Sequence, residues 1–194
     1  MFKKTMLAVL LAGTSFASSA NWVAGAGYMS FSDSEDGIDI NLNAVIGSVG
    51  YKYLINDNFS IVPELRLGFG LGDDTFTFYE YDYVVDAEGD IVAGEPINSF
   101  IVKTELERFF ALSLRAEYDL KNGVYLFAVP SYANAKFKAS ASFMDESFSA
   151  SEDSWEFGLG AGAGYKFTDT VAAELSYEQY DGTDILNANI KFSF

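Results

Sequence analysis

The residues able to do acid–base or metal chemistry in this 194-residue chain are almost all carboxylates. There are 28 Asp and Glu against 12 Lys and Arg, with no histidine and no cysteine. A Ser/His or Cys/His nucleophile is therefore excluded, as are disulfides and any His/Cys metal centre. No cofactor is expected. Three uses of carboxylates remain. Glu105 and Glu107 fall two apart on one face of an extended strand, as a glycosidase pair would need, but neighbours such as Lys103 favour a structural network. Asp33-Ser34-Glu35-Asp36-Gly37 has part of the spacing of a calcium loop and lacks its distal bidentate Glu, so Asp33, Glu35 and Asp36 are weak metal candidates. Finally, Glu64, Arg66, Arg115, Glu117, Glu174, Glu178 and Lys191 alternate with apolar side chains inside otherwise apolar runs.

The elements that must position these charges are strands. In the last ten residues, Leu186, Ala188, Ile190, Phe192 and Phe194 are apolar, and Asn187, Asn189, Lys191 and Ser193 between them are polar. Alternation at period two belongs to a strand with two different faces. Seven earlier segments share it, separated by Gly, Asn, Asp and Ser clusters. They are Trp22 to Phe31, Ile38 to Tyr53, Phe59 to Gly72, Phe100 to Leu120, Val124 to Phe143, Ser154 to Phe167, and one from Val171. In the second segment the apolar phase of Ile40, Leu42 and Ala44 differs from that of Val49, Tyr51 and Tyr53, and a bulge is expected to reconcile them. Pro130, which cannot donate to a ladder, predicts a local irregularity. Short turns near Asp57, Lys121 and Asp169 alternate with longer connections near 33–37, 73–97 and 144–153; the last turn, 181–184, is short. Eight antiparallel strands joined this way describe an all-β, up-and-down barrel.

Residues 1–20 carry Lys3 and Lys4, a short apolar run from Met6 and the small residues Ala17-Ser18-Ser19-Ala20, the pattern of a secretory signal peptide. The remaining 21–194 fit one domain. The polar faces then carry Glu64, Arg66, Lys103, Glu105, Glu107, Arg115, Glu117, Lys136, Lys138, Glu156, Lys166, Glu174, Glu178 and Lys191, and the opposite faces are rich in Leu, Phe, Tyr, Trp and Ala. The interior of an eight-stranded barrel is just wide enough for side chains to fill. Packing all those aromatics inward would overfill it, whereas Gly158, Gly160, Gly162 and Gly164 suit a crowded lumen. The apolar face is thus expected to meet lipid, with aromatic girdles near the strand ends and the edges closed so that no backbone group is left unpaired in hydrocarbon. A soluble periplasmic ligand-binding barrel is the third alternative.

Asn189-Ile190-Lys191-Phe192-Ser193-Phe194, the stretch Gly158-Leu159-Gly160-Ala161-Gly162-Ala163-Gly164-Tyr165-Lys166-Phe167 and, more faintly, Gly47-Ser48-Val49-Gly50-Tyr51-Lys52-Tyr53 resemble the small outer-membrane β-barrel domain family of Gram-negative bacteria, which includes OmpA/OmpX-like barrels. The resemblance implies a porin-like monomer in contact with outer-membrane lipid. Phe192 and Phe194 would then be the signal read by the outer-membrane barrel assembly machinery. Roles in the family range from structural to adhesion, and its barrel enzymes resemble one another in needing a histidine base, which this chain lacks.

The seven alternating charges are expected to form a salt-bridged plug, because a charge in a narrow interior is costly unless paired; the alternative is a polar wall of a narrow channel for small solutes or ions. The stretches 33–37, 73–97, 144–153 and 181–184 hold 17 acids and no Lys or Arg. An acidic end disfavours nucleic acid, and it is expected to be solvated surface or a binder of divalent cations. In the longest connection, Phe76, Phe78, Tyr79, Tyr81 and Tyr83 lie on a strand-like run, a candidate surface for an extracellular protein or surface ligand.

Overall fold

The computed structural model describes residues 21–35, 38–85, 90–143 and 146–194; the leader assigned to 1–20 lies outside them. The strands are β1 (Trp22–Glu35), β2 (Ile38–Tyr51), β3 (Tyr53–Leu54), β4 (Phe59–Gly70), β5 (Asp73–Val85), β6 (Ile91–Leu120), β7 (Val124–Phe143), β8 (Glu146–Lys166), β9 (Val171–Tyr180) and β10 (Thr183–Ser193). All pairings are antiparallel, and β1 pairs with β10 while β4 pairs with β6. Eight strands therefore close into a ring, with the two-residue β3 continuing β2 past Lys52. β5 stands outside the ring and, among the described residues, pairs only with the upper part of β6. Lys121-Asn122-Gly123 closes the β6–β7 hairpin with φ of 84° at Asn122 and 82° at Gly123, the left-handed pair that Asn-Gly adopts at little cost.

The outward belt is apolar. On β8, Phe157 is 67% and Leu159 59% exposed, while Gly158 and Gly160 between them are buried. Leu67, Leu114, Leu126 and Leu175 continue the belt on neighbouring strands. Such a surface in water would be a very large apolar patch; hydrocarbon removes the penalty. Aromatic girdles mark its limits. Trp22, Tyr51 and Tyr53 meet at centroid distances of 5.3 and 4.8 Å at the end where Trp22 pairs with Phe194. Trp155 meets Tyr132 at 5.1 Å and Phe110 at 5.8 Å toward the other end.

Beyond the Trp155 girdle the sorting of side chains reverses. Met29, Phe31, Leu42, Ala44, Leu106, Phe109 and Ile185 form a buried cluster inside the barrel, with Phe137 packed against it. The outer face there carries Glu107–Lys136 at 2.6 Å and Glu105–Lys138 at 3.1 Å. The expectation that Lys103, Glu105, Glu107, Lys136 and Lys138 share the lumen with Arg115 is thereby corrected. A bulge between Leu106 and Arg108 moves the β6 charges outward, and β7 keeps its phase so that Ala135 and Phe137 turn in. Once the wall leaves hydrocarbon, water solvates the charges and the apolar groups become the ones to hide. The same reversal explains β2 without a bulge. Its register with β1 runs unbroken from Trp22↔Tyr51 to Glu35↔Ile38, placing Leu42, Ala44 and Ile46 inside and Val45 and Val49 outside. At Pro130 the expected irregularity is a local gap: between Ser113↔Ser131 and Ala116↔Ala128 the β6–β7 ladder skips Leu114, Arg115, Val129 and Pro130, and resumes in the same register.

Candidate functional site

Two charged layers cross the lumen within the apolar belt. In the layer nearer the termini, Arg115 on β6 donates Nη1 and Nη2 to Glu174 on β9 at 2.8 and 2.6 Å, and approaches Glu117 at 3.0 Å and Glu64 at 3.6 Å. Lys191 on β10 donates to both Glu64 oxygens at 2.8 and 2.9 Å and to Ser48 Oγ at 2.9 Å. Tyr125 Oη donates to Glu174 at 2.6 Å, and the Arg115 guanidinium lies 4.1 Å from the Phe127 ring centroid. In the second layer Arg66 on β4 grips Glu178 on β9 with bonds of 2.6 and 2.9 Å. Tyr180 Oη and Asn187 Nδ2 each donate to Glu178 at 2.9 Å, and Tyr180 exchanges a 2.6 Å hydrogen bond with Ser131. Nearer the termini Lys52 Nζ lies 2.7 Å from Glu117, and Lys166 pairs with Asp119.

The seven charges singled out from alternation thus lie in these layers. Lys52, Tyr125, Ser131, Tyr180 and Asn187 escaped the sequence reading. The signal for the tyrosines was cross-strand register, since Tyr125 opposes Gly164 and Tyr180 opposes Gly158. A Cβ on Gly164 would fall on the Tyr125 ring and one on Gly160 on the Glu178 side chain. The glycine row is the space those side chains occupy.

Within the network Glu64, Glu117, Glu174 and Glu178 are answered by Lys52, Arg66, Arg115 and Lys191, so the interior is neutral by pairing. Paired, hydrogen-bonded charges are the only affordable ones at low dielectric. Cavities of about 20, 40 and 40 Å³ interrupt the packing. The smallest, beside Arg66 and Arg115, has room for roughly one or two waters. Above the charges sits the apolar cluster, with Arg66 5.8 Å from the Phe109 ring.

At the loop end, β5 and upper β6 form a hairpin projecting past the ring. Phe76 and Phe78 are half-buried, and Phe78 stacks on Phe100 at 5.0 Å. Tyr79, Tyr81 and Tyr83 are 55%, 46% and 75% exposed. The aromatic set therefore divides into a packed pair and an open trio. Asp74 accepts the Asn41 backbone N–H at 2.8 Å, tying the base of β5 to β2. The Thr75 hydroxyl and then Lys103, 3.5 Å away, hold the exposed Asp73 carboxyl below its ordinary range. Of the calcium candidates, Asp33 accepts from Thr183 Oγ1 at 2.9 Å; Asp36 and the side chain of Glu35 lie outside the described residues. Among the described residues no cluster of three metal-ligating side chains occurs. Phe192 faces outward, and Phe194 exchanges backbone hydrogen bonds of 3.0 Å with Trp22, closing the ring.

The family model for the outer membrane protein beta-barrel domain matches residues 5–194. The chain belongs to that family. It is an outer-membrane, transmembrane β-barrel, which sets the soluble periplasmic alternative aside. Among solved structures it resembles Ail, the attachment invasion locus protein of Yersinia pestis, at 14% identity and a TM-score of 0.53, covering 91% of this chain and 98% of that one. Ail in complex with the heparin analogue sucrose octasulfate matches at 14% identity and a TM-score of 0.51, covering 90% and 98%. Neisserial surface protein A matches at 12% identity and a TM-score of 0.50, covering 89% and 97%. At these identities the likeness is one of fold. A comparison with curated proteins found no match.

Proposed function

We propose that this chain is a non-catalytic surface protein, cleaved after a leader at 1–20, whose lumen is closed and whose work is done by the β5–β6 hairpin in contact with an extracellular protein or surface ligand. In this reading the termini are periplasmic, the long connections extracellular, and the barrel a monomer inserted by the assembly machinery through Phe192 and Phe194. One observation carries it. Among the described residues β5 has a ladder partner along one edge only, its other edge being tied at the base by Asp74 alone, and the exposed Tyr79, Tyr81 and Tyr83 lie on this strand. An open edge offers a row of backbone donors and acceptors to an added strand, and exposed tyrosines supply contact area at low entropic cost. The absence of histidine supports the non-enzymatic part.

Charge narrows the partner. The polyanion held by the Yersinia barrel has the sign that 17 acids, in stretches without Lys or Arg, repel, so the partner here is neutral or basic. Divalent cations remain a secondary partner for the same acids. The test is deletion of residues 75–97 with the ring left intact. Cells carrying the deletion should lose attachment to protein-coated surfaces while the purified barrel still migrates differently on SDS gels before and after boiling. Undiminished attachment would refute the adhesion role. The channel alternative is opposed by the paired layers and the apolar cluster above them; large, steady conductance steps in a planar bilayer would restore it.

A further inference from the structure

The mouth of the barrel holds a cup that the hairpin reading does not use. Its floor and walls are the rings of Phe31, Phe109, Phe137 and Tyr180, and Thr183 and Glu156 stand at its side. Phe31 meets Phe109 edge-on at 5.7 Å and Phe137 at 6.3 Å, so the aromatic lining is fixed by its own packing. Phe31, Phe109 and Tyr180 are at most 5% exposed. Glu156 shares the inward phase of β8 with the buried Gly158 and Gly160. Its Oε1 accepts a 2.6 Å hydrogen bond from Ser154 Oγ, and no Lys or Arg of the described residues forms an ion pair with it. That contrasts with every carboxylate in the two layers below. Asp33, which accepts from Thr183 at 2.9 Å, adds a second negative charge to the rim.

A carboxylate left without a cation beside electron-rich ring faces is the recognition chemistry of an ammonium ion. The cup offers about 40 Å³, room for an ammonium group and one or two carbons. Surrounding loop acids raise the local concentration of cations at its opening. We infer that the cup is a binding site for small linear alkylammonium ions, with the nitrogen on Glu156 and the first methylenes among Phe31, Phe137 and Tyr180. A bulky quaternary head is too wide for the space, and a neutral chain leaves the carboxylate unanswered.

Calorimetric titration of the folded barrel in a nonionic maltoside detergent, with n-butylammonium chloride as probe and n-butanol as its neutral counterpart, tests the site. The wild type should show saturable one-to-one binding of the amine and none of the alcohol. Glu156→Gln should weaken it at least about tenfold, because a charge-assisted bond becomes a neutral one. Glu95→Gln, exposed on the outer part of the β5–β6 hairpin and outside the lining of the cup, should leave it within about twofold, as exposed charges away from the site are screened. Phe137→Leu should also weaken binding, and provides a second reading if the Gln variant does not fold. Heat-modifiable gel mobility establishes folding of each variant. Equal losses in the Glu95 and Glu156 variants would show diffuse attraction to an acidic surface and overturn the site. So would comparable binding of n-butanol, or no saturable binding at all.

Discussion

Replacing Arg115 by Met should be the most damaging single change in the lumen. Arg115 makes two short bonds to Glu174, touches Glu117 at 3.0 Å and Glu64 at 3.6 Å, and lies 4.1 Å from the Phe127 ring. Without it Glu64 keeps Lys191 and Glu117 keeps Lys52, but Glu174 retains only the Tyr125 hydroxyl. Stripping one partner from a buried pair costs about 3–5 kcal/mol, and the lost cation–π contact adds roughly 1 kcal/mol. A loss of about 4–6 kcal/mol follows, a large part of the ~5–15 kcal/mol that stabilises an ordinary domain. Replacing both members, as Arg115→Met with Glu174→Gln, removes the orphaned charge, so the double variant should be more stable than the Arg115 single variant by about 2 kcal/mol or more. Urea unfolding in lipid vesicles, followed through Trp22 and Trp155, measures all four corners of the cycle. An Arg115→Met barrel within about 1 kcal/mol of wild type, or a double variant no better than it, would refute the reasoning that pairing makes these charges tolerable.

Other consequences follow from the same packing. Gly164→Ala should destabilise the barrel by about 1–3 kcal/mol, the range for overpacking, because its Cβ meets the Tyr125 ring, whereas Gly47→Ala, whose Cβ has only the Gly25 carbonyl oxygen at 3.9 Å, should be nearly neutral in the same urea assay. Asp73, held below its ordinary 3.8 by Thr75 and Lys103, contributes stability at pH above that value which disappears as pH falls through its depressed folded value. Amide exchange at the base of the hairpin should therefore accelerate as pH falls through that depressed value, and Asp73→Asn should abolish that pH dependence. Phe109→Ala should leave the barrel non-conducting in planar bilayers, since the Arg66–Glu178 and Arg115–Glu174 layers remain closed beneath it.

Within the belt, sequence and structure agree because one rule governs the lipid-facing side: apolar residues turn outward and charges turn inward, where they share the lumen with the buried Val62, Tyr125, Phe127 and Val129. Alternation alone puts Glu64, Arg66, Arg115, Glu117, Glu174, Glu178 and Lys191 on one face, and a narrow lumen forces them to meet. The rule was extended too far along the strands. Lys103, Glu105, Lys136 and Lys138 alternate just as regularly, but they sit where water surrounds the wall, so the same pattern carries the opposite assignment. The mismatch of phase in β2 is the trace of that boundary and needs no bulge, while the bulge at Glu107 shows in the sequence only as Arg108 on the apolar phase and Phe109 on the polar one. Lys52, Tyr125 and Tyr180 were illegible for another reason. Their partners come from different strands, and which glycine opposes which ring depends on stagger around the closed ring. The edge of β5 depends on which strands fail to pair, a property of the assembled sheet.

The reversal of side-chain sorting also sets how deep the molecule floats. Within a few residues of the Phe110–Trp155 contact the outer wall changes to the Glu107–Lys136 and Glu105–Lys138 rungs. Sinking by two residues along a strand, about 7 Å, would drag those four charges toward hydrocarbon, and rising by as much would lift aromatic rings into water. A bilayer thicker than the belt must therefore thin around this barrel instead of swallowing it, and any surface the hairpin touches is met at a fixed height above the lipid.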